Sequence, residues 1–286
     1  MDAKPRECSY LGLSRSGFHR IAYVEWGEPS NRRTLVCVHG LTRNGRDFDT
    51  LAAAMADAYR VACPDVVGRG RSEWLADKTG YDMPQYCADL NALLARLDGD
   101  SVDWLGTSMG GLIGMALAAL PGAPIRRLIL NDIGPFIPKS ALERIALFVG
   151  KDPQFPDLAA AESYMREVSA PFGRLSDRQW HHLTIHAVKQ VADGGWRLRY
   201  DPAIGDAFRQ SEIKDVDLWA LWDRISCPVL VLRGRNSDLL LPETTAEMAR
   251  RGPKSRCVEF PDCGHAPALM APEQIAVVRE FLLSPP

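Results

Sequence analysis

The chain has 286 residues, of which 46% are hydrophobic and 24% are charged, as is ordinary for a folded globular protein. This length predicts one large domain, or a domain with an insertion, whose core needs neither disulfides nor metal. The 34 basic and 36 acidic residues leave a net charge of −2. This balance argues against a nucleic acid partner, because nucleic-acid-binding proteins carry a basic face.

The cysteines and the apolar runs predict a cytoplasmic protein without a membrane partner. We find no signal-like segment near residue 1 and no apolar stretch of the ~18 residues that a membrane span needs. The seven cysteines are an odd number and form no CxxC pair, which is typical of reduced thiols.

Short apolar runs that end at breakers alternate along the chain with longer helical patterns. Two early runs, at 7–13 and 19–26, have no helix between them and predict an antiparallel hairpin at one edge. Further strands are predicted at 34–38, 59–63, 101–105, 127–130, 228–232 and 256–260. Helices are predicted at 48–55, 83–97, 112–120, 242–251 and 272–282. This alternation predicts an α/β protein with a mostly parallel sheet covered by helices on both faces.

Residues 134–225 interrupt the alternation. They hold helical patterns rich in tryptophan, proline and charge, and no good strand sequence. We therefore predict a core domain at 1–133 and 226–286, and a helical cap at 134–225. Because open α/β sheets place their sites at the carboxyl ends of the strands, the cap is expected to cover that edge.

The stretch LGTSMGG places Ser108 between Gly106 and Gly110, after a strand pattern and before an apolar helix. A sharp strand-to-helix turn exposes a serine hydroxyl, and flanking glycines relieve the crowding around it. The turn also points the unpaired N–H groups of the following helix at the reacting atoms. The pattern predicts Ser108 as the nucleophile of a nucleophile elbow, and the alternative is a plain glycine-rich turn.

A serine nucleophile needs a base, and His265 lies just after the last strand. His39 ends a strand beside Gly40 and is expected to hold that loop or to line the substrate pocket. His182 and His186 have the spacing of two metal ligands, but the segment lacks the glutamate of an HExxH motif. We prefer a solvated or cap-lining helix face there, so neither a metal nor another cofactor is predicted.

The acid that orients the histidine is either Asp238 or Asp132, because each follows a strand pattern and either could reach the imidazole. We prefer Asp238, because Ser108, Asp238 and His265 then follow the order Ser, Asp, His that one large group of triad hydrolases shares. Asp132 stays open as the alternative.

The oxyanion that forms during attack on a carbonyl needs backbone donors. The N–H of Met109, directly after the nucleophile, is one predicted donor. The N–H of Leu41, in the loop after the strand at 34–38, is the other.

Five stretches together resemble the α/β-hydrolase superfamily, in its capped, esterase- and lipase-like branch. They are VHGL at 38–41, PDVVGRGRS at 64–72, GTSMGG at 106–111, RGRNSD at 233–238 and GHAPALMAPEQI at 264–275. The resemblance implies an eight-stranded, mostly parallel sheet with a helical cap inserted after strand 6. It also implies cofactor-free hydrolysis through an acyl-enzyme. The GRGRS segment does not predict dinucleotide binding, because it lacks the third glycine of such a site and does not open a helix.

Two other functions stay open within this resemblance. Carbon–carbon bond hydrolases that act on vinylogous diketones (meta-cleavage products) also use serine, but they typically have tryptophan after the catalytic histidine, where this chain has Ala266. A catalytically silent ligand-binding protein is the second alternative, and the three filled triad positions argue against it. The serine also argues against haloalkane dehalogenases and epoxide hydrolases, which carry aspartate at the elbow.

Aromatic side chains of residues 134–225 are candidates for an apolar substrate pocket, although aromatic residues at helical spacing are usually core. We select Phe136 and Trp180, with His39 beside them, and Arg197 and Arg199 are candidates for steering an acidic substrate. The remaining aromatic candidates are Phe148, Phe172, Trp196, Trp219 and Trp222.

Together these features predict a carboxylesterase-like serine hydrolase. Its partner is expected to be a small or medium-sized ester. The predicted catalytic residues are Ser108, Asp238 and His265.

Overall fold

The computed structural model describes residues 4–99, 101–192 and 194–284. Its strands are β1 (Arg6–Ser14), β2 (Gly17–Trp26), β3 (Thr34–Val38), β4 (Arg60–Pro64), β5 (Val102–Thr107), β6 (Ile125–Asn131), β7 (Phe136–Ile137), β8 (Gln154–Phe155), β9 (Val188–Gln190), β10 (Trp196–Leu198), β11 (Val216–Asp217), β12 (Val229–Gly234) and β13 (Arg256–Phe260). The centre is the predicted eight-stranded sheet, in the order β1-β2-β4-β3-β5-β6-β12-β13. The pairs β1–β2 and β2–β4 are antiparallel, and the other five pairs are parallel.

Helices cover both faces of this sheet, and two large apolar clusters lie between the layers. Every residue of β3 and of β12 is buried, as expected for central parallel strands that are packed on both faces. The helices are α1 (Asp49–Met55), α2 (Met83–Arg96), α3 (Met109–Ala118), α4 (Lys139–Ala146), α5 (Leu158–Val168), α6 (Asp177–Ala187), α7 (Asp206–Gln210), α8 (Trp219–Trp222), α9 (Pro242–Met248) and α10 (Pro272–Leu283).

Residues 134–225 hold α4–α8 and a small apolar cluster that includes Val149, Phe155, Leu198 and Ile204. The prediction that this segment lacks strands is wrong. It contains a three-stranded sheet, β8-β10-β9, and a two-stranded sheet, β11-β7. These strands have only two or three residues each, which is too short for a period-two pattern to be recognisable.

Within the part of the chain that the structure describes, no helix has the length and apolarity to cross a membrane. The seven cysteines are all free.

Candidate active site

The junction of β5 and α3 exposes the hydroxyl of Ser108. Ser108 has φ 52° and ψ −116°, which a residue with a side chain rarely adopts. Its N–H donates to the carbonyl of Asn131 at 3.0 Å, and its carbonyl accepts from the N–H groups of Gly111 and Leu112. The backbone on both sides of the serine is therefore fixed, and α3 begins at the next residue.

The glycines beside Ser108 allow this close packing of strand and helix. A Cβ atom on Gly106 would lie 2.2 Å from the backbone of Gly110, and a Cβ atom on Gly110 would lie 2.0 Å from the carbonyl oxygen of Val38. Neither backbone neighbour can rotate away as a flexible side chain could. Both glycines are needed for the approach of α3 to the sheet.

Gly110→Ala is therefore expected to lower the free energy of unfolding by about 3 kcal/mol, at the upper end of the usual cost of overpacking. Urea denaturation would measure the change. Gly99→Ala is the matched control, because its Cβ would lie 3.6 Å from the nearest heavy atom, which is ordinary contact. An equal effect of the two substitutions would contradict the packing explanation.

His265 lies in the loop between β13 and α10 and connects Ser108 to a buried carboxylate. Its Nε2 is 3.0 Å from Oγ of Ser108, and its Nδ1 is 2.8 Å from Oδ2 of Asp132. Because a carboxylate accepts hydrogen bonds, the proton of a neutral imidazole belongs on Nδ1. Nε2 is then free to accept the proton of the serine hydroxyl.

Asp132 follows directly after β6, the neighbour of β5, and its side chain is fully buried. Its Oδ1 accepts the N–H of Gly234 at 2.8 Å, and its Oδ2 also accepts the hydroxyl of Ser237 at 2.5 Å. With the imidazole, three donors surround the carboxylate. Such hydrogen bonds stabilise a buried charge and fix its orientation.

The structure corrects the choice of Asp238 as the acid. Asp238 has a half-exposed side chain, and its carboxylate binds the guanidinium of Arg144 on α4. Its neighbour Ser237 contacts Asp132, and it is Asp132 that the imidazole binds. The order Ser, Asp, His could not distinguish the two, because both aspartates lie between Ser108 and His265 in the chain.

The loop after β3, which contains Gly40 and Leu41, lines the cavity beside Ser108. The carbonyl of Gly40 accepts both Nδ1–H of His39, at 2.7 Å, and the N–H of Arg43, at 3.1 Å. Because a trans peptide points its C=O and N–H in opposite directions, these bonds also fix the N–H of Leu41. A Cβ atom on Gly40 would lie 3.7 Å from Cβ of Ser108, so the loop adjoins the serine.

Met109 begins α3, so its N–H has no acceptor within the helix.

Arg69, which the sequence did not mark as a functional residue, holds the loop that contains Leu41. This fully buried guanidinium donates from Nε to the carbonyl of Leu41 at 2.8 Å and from Nη1 to the carbonyl of Val67 at 2.8 Å. Its only signal in the sequence was an arginine between two glycines, which is too common to predict a buried role.

His39 is buried and has a structural role in that loop. The N–H of Val66 donates to its Nε2 at 2.9 Å, while Nδ1 binds the carbonyl of Gly40. Burial lowers the pKa of His39 to about 3, so the ring is neutral at physiological pH. His39 lines a small cavity beside the main one.

Ser108 and His265 open into a cavity of about 120 Å³ between the core and residues 134–225. Phe148 and Phe172 contribute to its wall, as the sequence had suggested for them. The lining residues are Gly40, Leu41, Thr42, Arg43, Thr107, Ser108, Arg144, Ile145, Phe148, Tyr164, Met165, Val168, Ser169, Pro171, Phe172, Ala187, Leu198, Tyr200, His265 and Ala266.

Two of the selected pocket residues lie elsewhere. Phe136 is in β7 and pairs with Asp217 of β11, while Trp180 packs in a small buried cluster with Leu183 and Met270. Neither is among the described residues that line the cavity, and the same is true of the three other candidate tryptophans. The prediction placed them there because helical spacing does not tell a pocket wall from a core face.

The two arginines suggested for substrate steering also lie outside the cavity wall. Arg197 binds the carboxylate of Asp152, and Nε of Arg199 donates to the carbonyl of Val188 at 3.2 Å. Arg43 and Arg144, which the sequence analysis did not single out, are the arginines of the wall.

The histidine pair of α6 lies against the core rather than in the cavity. Asp49, His182 and His186 place one ligand atom each within 4.8 Å of one another, as three metal ligands would. However, Nε of Arg46 lies 2.7 and 2.9 Å from the two carboxylate oxygens of Asp49. The hydrogen bond to Asp49 raises the pKa of His182, and burial lowers that of His186 to about 4. Arg46 pairs with this carboxylate, which argues against a cation at these three residues.

Comparison with known proteins identifies the class. The chain matches the family model of the alpha/beta hydrolase fold over residues 33–272. It is 50% identical to 3-hydroxybutyrate-oligomer hydrolase of Cupriavidus necator, over 98% of this chain and 99% of that protein. It is 27% identical to an esterase of Mycobacterium tuberculosis, over 92% of this chain and 86% of that protein. The structure of a putative hydrolase from Rickettsia typhi is similar, with a TM-score of 0.90, 34% identity and 98% of both chains covered.

The chain therefore belongs to the α/β-hydrolase family. Its relatives within that family include ester hydrolases, and this protein is a serine hydrolase that cleaves a carboxylic ester.

Proposed function

We propose that the protein cleaves short oligomers of 3-hydroxybutyrate, with Ser108 as nucleophile, His265 as general base and acid, and Asp132 as the orienting carboxylate. The hydrogen-bonded line from Ser108 through His265 to Asp132 carries the catalytic assignment. The oligomer is proposed because the relative that is 50% identical over nearly the whole chain acts on this substrate by its name.

In the first half of the reaction Oγ of Ser108 attacks the ester carbonyl while its proton moves to Nε2 of His265. The carbonyl electron pair moves to oxygen, and the N–H groups of Leu41 and Met109 receive the resulting oxyanion. When the C=O bond re-forms, the bond to the alcohol oxygen breaks. The leaving alcohol takes the proton from Nε2, and an acyl-Ser108 intermediate remains.

In the second half a water molecule gives a proton to Nε2 of His265 and attacks the acyl carbon. The second oxyanion uses the same two donors. Oγ of Ser108 then leaves with the proton from Nε2, and the carboxylic acid is released. Asp132 does not gain a proton in either half, and its charge stabilises the imidazolium.

Residues 134–225 are proposed as a cap domain that sets substrate preference, over a core of 1–133 and 226–286. This division is supported by the cavity, whose catalytic side chains come from the core while most of its apolar wall comes from α4, α5 and their neighbours. A cytoplasmic location is proposed because free thiols are typical of a reducing compartment.

The substrate proposal is tested by incubating the pure protein with linear 3-hydroxybutyrate trimer and separating the products by chromatography. We expect monomer and dimer, and a higher kcat/KM on the trimer than on ethyl butyrate. Turnover of p-nitrophenyl butyrate without turnover of the trimer would overturn the proposed substrate but not the esterase activity. Faster cleavage of a vinylogous diketone would favour a carbon–carbon bond hydrolase, and absence of all turnover would favour a silent ligand-binding protein.

A further inference from the structure

The charged side chains of the catalytic cavity point to a substrate that is itself charged. Besides His265, the wall contains the guanidinium groups of Arg43 and Arg144 and, among the residues that the structure describes, no carboxylate. Ester hydrolysis itself does not require a cation here, because backbone N–H groups are available for the oxyanion. Each guanidinium pairs with one aspartate outside the wall, so an anionic ligand would be bound by the N–H donors that these ion pairs leave over.

Arg43 differs from Arg144 in burial and in its hydrogen bonds. The side chain of Arg144 is about one-third exposed, at 36%, and binds Asp238 in the fork geometry of two parallel bonds. The side chain of Arg43 is only 10% exposed. Water therefore screens the charge of Arg144 far more than that of Arg43.

The guanidinium of Arg43 has one edge filled and one edge available. Its Nε and Nη2 donate to the two oxygens of Asp47, each at 2.7 Å. Its Nη1 faces the thioether of Met165 at 3.9 Å, which is a weak acceptor. Phe172 packs on the group, with Cζ 5.6 Å from the ring centroid. A buried donor with so weak a partner is costly unless a ligand oxygen completes it.

Arg43 lines the cavity into which the nucleophile opens. Met165 and Phe172 line the cavity with Arg43. A Cβ atom on Gly40 would touch both Cγ of Arg43, at 3.9 Å, and Cβ of Ser108, at 3.7 Å. The N–H of Arg43 also donates to the carbonyl of Gly40, so its backbone is tied to the oxyanion loop. Arg43 and Ser108 therefore line the same cavity on either side of Gly40, so one small substrate can reach both.

We propose that the Nη1–Nη2 edge of Arg43 binds the free carboxylate of the substrate, so that the enzyme prefers esters of hydroxyacids that end in an ionised acid. This proposal rests on the function proposed above. A guanidinium edge and a carboxylate can form two parallel hydrogen bonds, and a neutral ester group cannot form this pair of charge-assisted bonds. The short oligomer is then selected by its charged end as well as by its ester bond.

The test compares the linear 3-hydroxybutyrate dimer with its methyl ester, which lacks the charge, and follows only cleavage of the ester bond between the two units by chromatography of the products. The acid is ionised at neutral pH. We expect the wild type to have the higher kcat/KM on the acid. Arg43→Met keeps the apolar stem and is expected to lower the acid-to-methyl-ester ratio of kcat/KM by about 10- to 100-fold, the effect of a hydrogen bond to a charged group.

Arg46→Met is the matched control, because Arg46 also binds an aspartate in the same loop region but does not line the catalytic cavity. Its ratio should equal that of the wild type. The proposal would be overturned by an unchanged ratio in Arg43→Met, or by an equal fall of kcat/KM on both substrates. A fall of the ratio in Arg144→Met alone would also overturn it.

Arg43→Lys covers the case in which the Met variant does not fold. Lysine keeps the charge but loses the fork, so the ratio should fall less than in Arg43→Met but still measurably, and a wild-type ratio would overturn the proposal. Hydrolysis of p-nitrophenyl butyrate by the wild type separates failure of the proposed function from failure of the proposed role of Arg43. If the wild type cleaves neither this ester nor the dimer, the proposed function has failed and not only the role of Arg43.

Discussion

Asp132→Asn is expected to lower kcat on a carboxylic ester by about four orders of magnitude, as in other triads in which the acid is replaced by its amide. The new NH₂ group cannot take the place of Oδ1, because the N–H of Gly234 donates there. It must therefore take the place of Oδ2 and face Nδ1 of His265. The imidazole is then forced to carry its proton on Nε2, where it cannot accept the proton of Ser108.

Asp238→Asn is the matched control for this prediction. The same chemical change falls on a half-exposed carboxylate whose ion pair with Arg144 contributes about 1 kcal/mol at most. Its kcat should stay within about fivefold of the wild type. Thermal melting of both variants would separate loss of catalysis from loss of folding, and a larger loss of kcat in Asp238→Asn than in Asp132→Asn would refute our assignment of the acid.

Ser108→Ala is expected to lower kcat by about six orders of magnitude, because the nucleophile itself is removed. The fold should be retained, since the backbone hydrogen bonds on both sides of residue 108 do not involve the hydroxyl. The rate on p-nitrophenyl butyrate is the measurement. Ser163→Ala is the control, because Ser163 is a serine of α5 whose hydroxyl donates within the helix to the carbonyl of Ala159.

Covalent labelling of the nucleophile tests the same assignment without a rate measurement. A fluorophosphonate that reacts with activated serines should add one group to the wild type, on the peptide that contains Ser108, and none to Ser108→Ala. Mass spectrometry would measure the addition. Labelling of the variant, or near-normal hydrolysis by it, would show that another residue is the nucleophile.

Much of the fold could be predicted because its strands are long enough to show a pattern. The β-branched runs that end at glycine, proline or aspartate correspond to central strands that are buried on both faces. The short strands of 134–225 could not be predicted, because two or three residues do not show a period. Their pairing depends on neighbours that are distant in the chain, such as Trp196 with Phe155.

The sequence by itself determined the residues whose role depends on local backbone geometry. Gly106, Ser108 and Gly110 lie at a strand–helix junction, and only small residues fit where α3 approaches the sheet. His265 was identifiable because a single histidine follows the last strand.

The tertiary structure alone decided between Asp132 and Asp238, because chain order and strand ends allowed both. Asp132 follows β6, which lies next to the strand that Ser108 follows, and β12 is one position further away. The tertiary structure also decided which arginines face the cavity, Arg43 and Arg144 rather than Arg197 and Arg199. The physical reason is the same in each case. The effect of an acid or a cation depends on its distance from the reacting atoms and on its burial, and the local sequence determines neither quantity.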